Sequence, residues 1–495
     1  MDNLNQVHSG KLYKLNNEDV DYSAEVNFNE YYECNIIVYD ANKEWYDKLK
    51  KTENNSAEIK LYSGEYISIF NFYIKEFTIH KNINEPEYKG TLMKVVSSNV
   101  IWGRKGFPAD YTFSEMCMEI TDGHELIGVC PYDLNSGCVD RSMYKNINIP
   151  VITEPVRVDT NLGIFHFDVT PQYYSDRDRF SIGISHKIVF QSLKPIMVKD
   201  FHVLLQKITE FFSLLSGEIV TINKLKLIER SASQVDFYDF IGCCNFPKKS
   251  LNIFNKEGKD ISSFKRISIF KVTDFTDAQK AMNYWFDHYG DLYNAQQAYG
   301  RIMLDEEVKV VSINKFLAAM QMIEGYAQAF IDEKKEISEF NIRKENIIQQ
   351  LKDESDKELV RNGLGLSGVT FRNAIINYFL EFIELLYEKM SKRAFNKKYA
   401  DFIDDIVNDR NFYTHSSRRT EARLSVNDAL NVSALCKEIY RVLILTKMGM
   451  PVSVIHCRLG HNRIAAELFN RILGIEIKPE QEIPEFDKAM WEFGK

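Results

Sequence analysis

The chain has 495 residues, of which 45% are hydrophobic, 27% charged and 13% aromatic, with a formal net charge of −8. That length exceeds one ordinary core and calls for two or three domains of about 100–250 residues each. The acidic balance excludes a chain-wide nucleic-acid surface and leaves room only for a local basic one.

The opening residues, MDNLNQVHSGKLYKLNNEDV, lack the basic and apolar run of a secretory signal. No stretch approaches the roughly 18 apolar residues of a membrane span, so a cytoplasmic protein with no membrane partner is expected. Eight cysteines without a Cys-x-x-Cys pair argue against a zinc knuckle. His456, Cys457 and His461 are read as packing and surface residues of a C-terminal helix, and no metal or cofactor is expected.

Short β-branched or aromatic runs at 35–39, 57–62, 66–70, 93–97, 163–169 and 180–184 predict many strands, in a sandwich or a barrel. His166, Asp168, Asp176 and Asp178 fall among them and read as solvated turn residues rather than metal ligands. From 200 to 216 an apolar stripe at Phe201, Leu204, Leu205, Ile208, Phe211, Phe212 and Leu215 predicts one helix, closed by Gly217. Strands are expected again at 219–222, 225–228 and 267–272.

No proline occurs between 248 and 450, which favours helices, since an interior proline costs about 3 kcal/mol. Thr276 with Gln279 forms a capping-box pattern for a first helix, and Ser312 can cap a second. Further helices are expected over 336–361, 371–392, 399–415 and 426–447, making an antiparallel bundle of about five or six. The expected division is a mostly β sensing or regulatory domain at 1–250, a connection at 251–275, a helical domain at 276–475 and a tail at 476–495.

The apolar stripe at 399, 402, 403 and 406 places position 410 next on the same face, and that position is an arginine. Arg410 is either an ion-pair partner of Asp405, Asp409 or Glu324, or a phosphate ligand. Arg410 and His415 lie about 140° apart around a regular helix. They converge on one target only if the helix ends or bends near Thr414, or if two copies meet across a two-fold axis. The spacing alone is weak, because Arg179 and His186 match it inside the β region.

The stretch Phe402–His415 resembles the signature helix of HEPN domains, an Arg followed by four to six residues and a His, with a polar residue directly after the Arg. The whole layout, a β-rich half with one late helix followed by a helical half, resembles the ApeA family of anti-phage defence proteins. The resemblance implies an α+β multidomain chain: an N-terminal mostly-β, sandwich- or barrel-like domain followed by an all-α HEPN bundle. It also implies a metal-independent endoribonuclease acting as a homodimer through the HEPN domain, on RNA, in abortive infection set off by a phage-derived trigger.

In that reading His415 is general acid or base, Arg410 holds the scissile phosphate and Asn411 orients substrate or His415. Glu324 and Asp405 are supporting residues, and Tyr413 stacks on a base or packs. The segment around the motif carries about +3, with Lys397, Lys398, Arg418 and Arg419 as candidate RNA contacts. Basic residues complementing helix dipoles would give the same pattern. Two other readings stay open: a non-catalytic HEPN module for dimerisation or RNA binding, and a β-domain that binds carbohydrate or a phage component.

Overall fold

The computed structural model describes residues 6–28, 34–41, 43–52, 55–81, 89–97, 99–108, 110–129, 156–176, 179–231, 234–242, 270–307, 312–330, 333–363, 370–386, 390–415, 421–461 and 463–474. Thirteen antiparallel strands make one continuous sheet. Six of them close on themselves: β1 (His8–Leu15), β2 (Glu18–Phe28), β3 (Cys34–Tyr39), β4 (Asn55–Leu61), β5 (Tyr66–Lys81) and β6 (Lys89–Ser97). The N-terminal architecture is therefore a barrel with extra strands. β1 and β2, which no apolar run announced, turn at Asn16-Asn17, both with positive φ, as a two-residue hairpin requires.

Closure depends on β5. Its first half pairs with β4 on one side and with β7 (Asn99–Gly103) on the other, while its second half pairs with β6. Asn71 stands at the change of partner with φ 53, skipped by β4, whose register passes from Ser56↔Phe70 to Asn55↔Phe72. Asn is among the few non-glycine residues that adopt such a bulge conformation readily. The barrel then fills its own interior with Leu12, Val26, Ile36, Val38, Ile59, Ile67, Ile69 and Val95.

Beyond β7 the sheet continues through β8 (Thr112–Ile120), β9 (Val156–Asp159), β10 (Gly163–Asp176), β11 (Arg179–Met197), β12 (Ile222–Arg230) and β13 (Val235–Gly242), in the order β7-β13-β12-β8-β11-β10-β9. On β10 the expected alternation holds, with Phe165, Phe167 and Val169 buried and His166 and Asp168 on the other face. Two short helices, α1 (Lys43–Leu49) and α2 (Gly123–Ile127), precede α3 (Phe201–Ser216), which buries the expected stripe and ends at Gly217 with φ 76.

Among the described residues from 278 onward the elements are all helices: α4 (Ala278–Glu307), α5 (Ile313–Phe330), α6 (Glu333–Gln350), α7 (Glu354–Gly363), α8 (Phe371–Leu386), α9 (Lys392–His415), α10 (Val426–Lys447), α11 (Val452–His461) and α12 (Arg463–Leu473). α10 is buried almost all round and serves as the axis of the bundle. α4 and α5 approach closely at Gly325, where any Cβ would stand 2.7 Å from the Ala295 nitrogen. Sheet, α3 and bundle share one core: Phe165 stacks on Phe286 at 5.9 Å, and Trp285 Nε1 donates to the Lys207 carbonyl at 2.8 Å.

Several expectations change. The charged segment 336–361 is not one helix: α6 ends at Gln350, and Asp353 starts α7 by accepting the Ser355 N–H at 2.8 Å. The first long helix is capped by Asp277, which accepts from the Lys280 N–H at 2.9 Å, rather than by Thr276. The strand expected at 219–222 is absent except for Ile222, which opens the strand Ile222–Arg230 that contains 225–228, and the described end of the strand expected at 267–272 runs into a 3-10 turn, Val272–Asp274. The bundle has nine described helices rather than five or six, because breaks such as 351–353 are set by polar caps and not by the apolar pattern. Cys243 and Cys244, Asp178, most of the connection and the tail from 475 lie outside the described residues.

Candidate functional site

α9 starts at Lys392, earlier than its stripe announces, and its one interior departure from helical geometry is Tyr399, with φ −117 and ψ 18. Beyond Tyr399 no residue departs from helical geometry up to His415, the last residue of α9, so of the two possibilities near Thr414 the described residues show an end of the helix and no bend. Ile403 and Ile406 are buried in the bundle core, and Arg410 follows them to its edge.

There the Arg410 guanidinium meets three groups from three directions. Its Nη2 donates to the Glu324 carboxylate on α5. Its Nη1 donates to Asn411 Oδ1 at 3.1 Å, and its Cζ lies 5.1 Å from the centre of the Phe371 ring, the first residue of α8. Of the three acids considered as partners, Glu324 is the one that pairs with Arg410. The pair is neither sealed nor fully solvated: the side chains are 22% and 31% exposed.

The other two acids turn away and serve the chain's return. Asp409 is fully buried, and its two carboxylate oxygens accept the backbone N–H groups of Arg423 at 2.7 Å and Leu424 at 2.9 Å. Asn408 Nδ2 donates to the Glu421 carbonyl at 2.9 Å, and Asp405 takes the Arg423 Nη1 at 3.3 Å. Residues 421–424 are thereby strapped along the last turns of α9 and lead into Ser425, whose Oγ caps α10 by accepting from the Asp428 N–H. Asp409 as an anchor was missed from the sequence. Its spacing from Phe402 and Ile406 marked an inward position, but no pattern shows that backbone donors will meet it there.

The Tyr413 ring packs edge-on against Phe412, 4.9 Å away at 74°, with Phe316 at 6.5 Å. Lys397 and Lys398 are exposed but sit beyond the Tyr399 kink, about 20 Å along the helix from Arg410. Arg418, Arg419 and the side chain of His415 lie outside the described residues. The competing match, Arg179 and His186, is on β11, where His186 Nε2 accepts the Ile120 N–H at 3.1 Å.

Among the described residues no three of His, Cys, Asp and Glu converge to hold a metal ion, and no helix is long and apolar enough to cross a membrane. His456 Nε2 is 2.9 Å from the Leu386 carbonyl, and the Cys457 beside it is buried.

Both halves of the chain match known families. Residues 317–453, which run from α5 into α11, match the family described as Apea-like HEPN, so the helical half carries a HEPN domain, a class generally of ribonuclease type that commonly dimerises and binds RNA. Residues 8–285, more than half of the chain, match ApeA N-terminal domain 1. The chain belongs to the ApeA family, an anti-phage defence nuclease family. No curated protein and no solved structure matches it.

Proposed function

We propose that the chain is a cytoplasmic, metal-independent endoribonuclease of abortive infection, working at a cleft built from the α9 ends of two copies. One observation carries the reading. Within the matched HEPN domain, the motif arginine stands mostly covered but not sealed near a helix end, 22% exposed, and is oriented by Glu324, Asn411 and Phe371 at the edge of the core.

The chemistry follows from the residue types. A guanidinium fork suits two oxygens of one phosphate and stabilises charge gained in the transition state. The RNA 2′-hydroxyl attacks the adjacent phosphorus as a base removes its proton, leaving a 2′,3′-cyclic phosphate. An acid returns a proton to the departing 5′-oxygen. An imidazole works in either direction near neutrality, and a two-fold cleft supplies two of them. Asn411 orients Arg410 and the substrate, Glu324 holds the guanidinium, and Asp405 and Tyr413 support α9. Lys397, Lys398, Arg418 and Arg419 are contacts for a longer RNA, and a phage-derived trigger acting through the β-rich half fits the family.

The test is cleavage of RNA by the purified protein in EDTA. Arg410→Ala and His415→Ala are each expected to lower the rate by about 1000-fold, with the thermal midpoint and dimer unchanged. Full activity in both variants would remove the catalytic assignment. Loss of growth arrest with His415→Ala in expressing cells is the corresponding result in vivo. A binding-only HEPN module would instead show RNA affinity without cleavage.

A further inference from the structure

We propose that Arg372 is a second RNA-phosphate ligand beside Arg410, held ready by Asp404. The inference rests on the ribonuclease reading and adds to it a residue that the motif does not contain.

Phe371 and Arg372 are the first two residues of α8. The Phe371 ring lies against the Arg410 guanidinium, so the next side chain in the sequence starts from the same corner of the bundle. Arg372 reaches from there to α9, where its Nε (3.1 Å) and Nη2 (2.6 Å) both donate to a single oxygen of Asp404. Asp404 precedes Arg410 by six residues, about 9 Å along the helix axis. Two guanidinium groups thus stand where the first two residues of α8 meet the last three turns of α9, one against Phe371 and the other belonging to the residue after it.

Exposure decides what the Arg372 pair is for. Its side chains are 42% and 49% exposed, and an ion pair in that setting contributes little to folding. Exchanging the carboxylate for a phosphate therefore costs the fold little, and a phosphate matches the guanidinium fork well. Arg441 and Arg458 are the opposite case, 3% and 1% exposed, and their donors are committed inside the molecule, Arg441 to Glu438 and the Leu214 and Leu215 carbonyls and Arg458 to Asp274.

RNA affinity is measured on the full-length His415→Ala protein in EDTA, so that no cleavage intervenes, with a single-stranded RNA as probe. Adding Arg372→Ala is expected to weaken binding about 10-fold and to reduce the slope of log affinity against log salt by about 0.7, the contribution of one phosphate contact on a single strand. Adding Asp404→Asn is expected to tighten binding about 2- to 3-fold, because the competing carboxylate is gone. Arg361→Ala, which removes an arginine of somewhat greater exposure (51% against 42%) from the Glu354 pair on α7, controls for net charge and is expected to change nothing. Affinity within twofold of the parent after Arg372→Ala overturns the proposal. If that variant does not fold, Asp404→Asn decides: tightening supports the proposal, and unchanged or weaker binding overturns it. Failure of the ribonuclease reading is a separate event, seen as cleavage persisting in His415→Ala.

Discussion

Arginines do two different jobs at the two ends of the HEPN bundle. Where the bundle joins the sheet, Arg441 of α10 closes the C-terminus of α3: its Nε and Nη2 donate to the Leu214 and Leu215 carbonyls, each at 2.9 Å, and its Nη1 to Glu438 at 2.8 Å. Nearby, Arg458 grips Asp274 with both carboxylate oxygens engaged, at 3.2 and 2.8 Å. Where the start of α8 meets α9, Arg410 and Arg372 are 22% and 42% exposed and each pairs with a partly exposed carboxylate. A buried guanidinium must have its donors and its charge answered permanently, because an unpaired buried charge is costly. One at the rim can trade partners, and the candidate site lies at that rim.

The sharpest way to break this contrast is to remove a guanidinium from each end. Arg441→Met leaves Glu438 short of its main partner and two α3 carbonyls without a donor. It is expected to cost about 3–5 kcal/mol by denaturant unfolding, whereas Arg410→Ala costs activity and little stability. Burial alone would raise the Glu438 carboxyl, yet Arg441 and Lys437 outweigh it and hold the group below its ordinary value. A carboxyl depressed in the folded state contributes stability above its unfolded value and loses it as pH falls through the folded one. Arg441→Met should therefore show a shallower acid-side loss than the parent in pH-dependent unfolding.

Asp409→Asn is intermediate. One carboxylate oxygen becomes an amide that cannot accept, so a strap N–H is left unanswered at an expected cost of about 1–3 kcal/mol. Faster hydrogen exchange at Arg423 and Leu424, with the sheet amides unchanged, would place the loss at the strap. Equal exchange at those two amides would show that Asp409 does not hold it.

The smallest expected effect concerns Glu210 of α3, at the same joint but with no arginine. Burial pushes its carboxyl above the ordinary 4.5, against hydrogen bonds from Gln206, Tyr289 and Gln297. The folded protein then binds that proton more tightly than the unfolded chain. Stability from this group is full below about pH 4.5 and declines as pH rises through the folded value. Glu210→Gln should raise the thermal midpoint by about 1–3 °C at pH 7 and leave it unchanged at pH 4. A lower midpoint at pH 7 would show that the ionised carboxylate is used at the joint.

Much of the fold was legible from periodicity. The α3 stripe, the buried face of β10 and the Val426–Lys447 stretch follow from apolar spacing, which records one face of one element at a time. Helix ends were less legible: the break at 351–353 and the cap at Asp277 depend on which carboxylate meets which N–H. In the candidate site, Arg410 was legible as a polar residue on an inward face, and Glu324 and Asn411 were named beside it. Phe371 and the anchoring role of Asp409 were not, because both come into play only when a second segment arrives alongside α9.

From the sequence alone came the β-rich half, the helical half and the resemblance to ApeA-type HEPN proteins, since strand alternation, helical stripes and a contiguous motif are properties of single segments. Tertiary structure decided barrel over sandwich through the double pairing of β5, chose Glu324 among three acids for Arg410, and sent Asp405 and Asp409 to the strap. Those choices depend on distances between segments far apart in the chain, which no local pattern encodes.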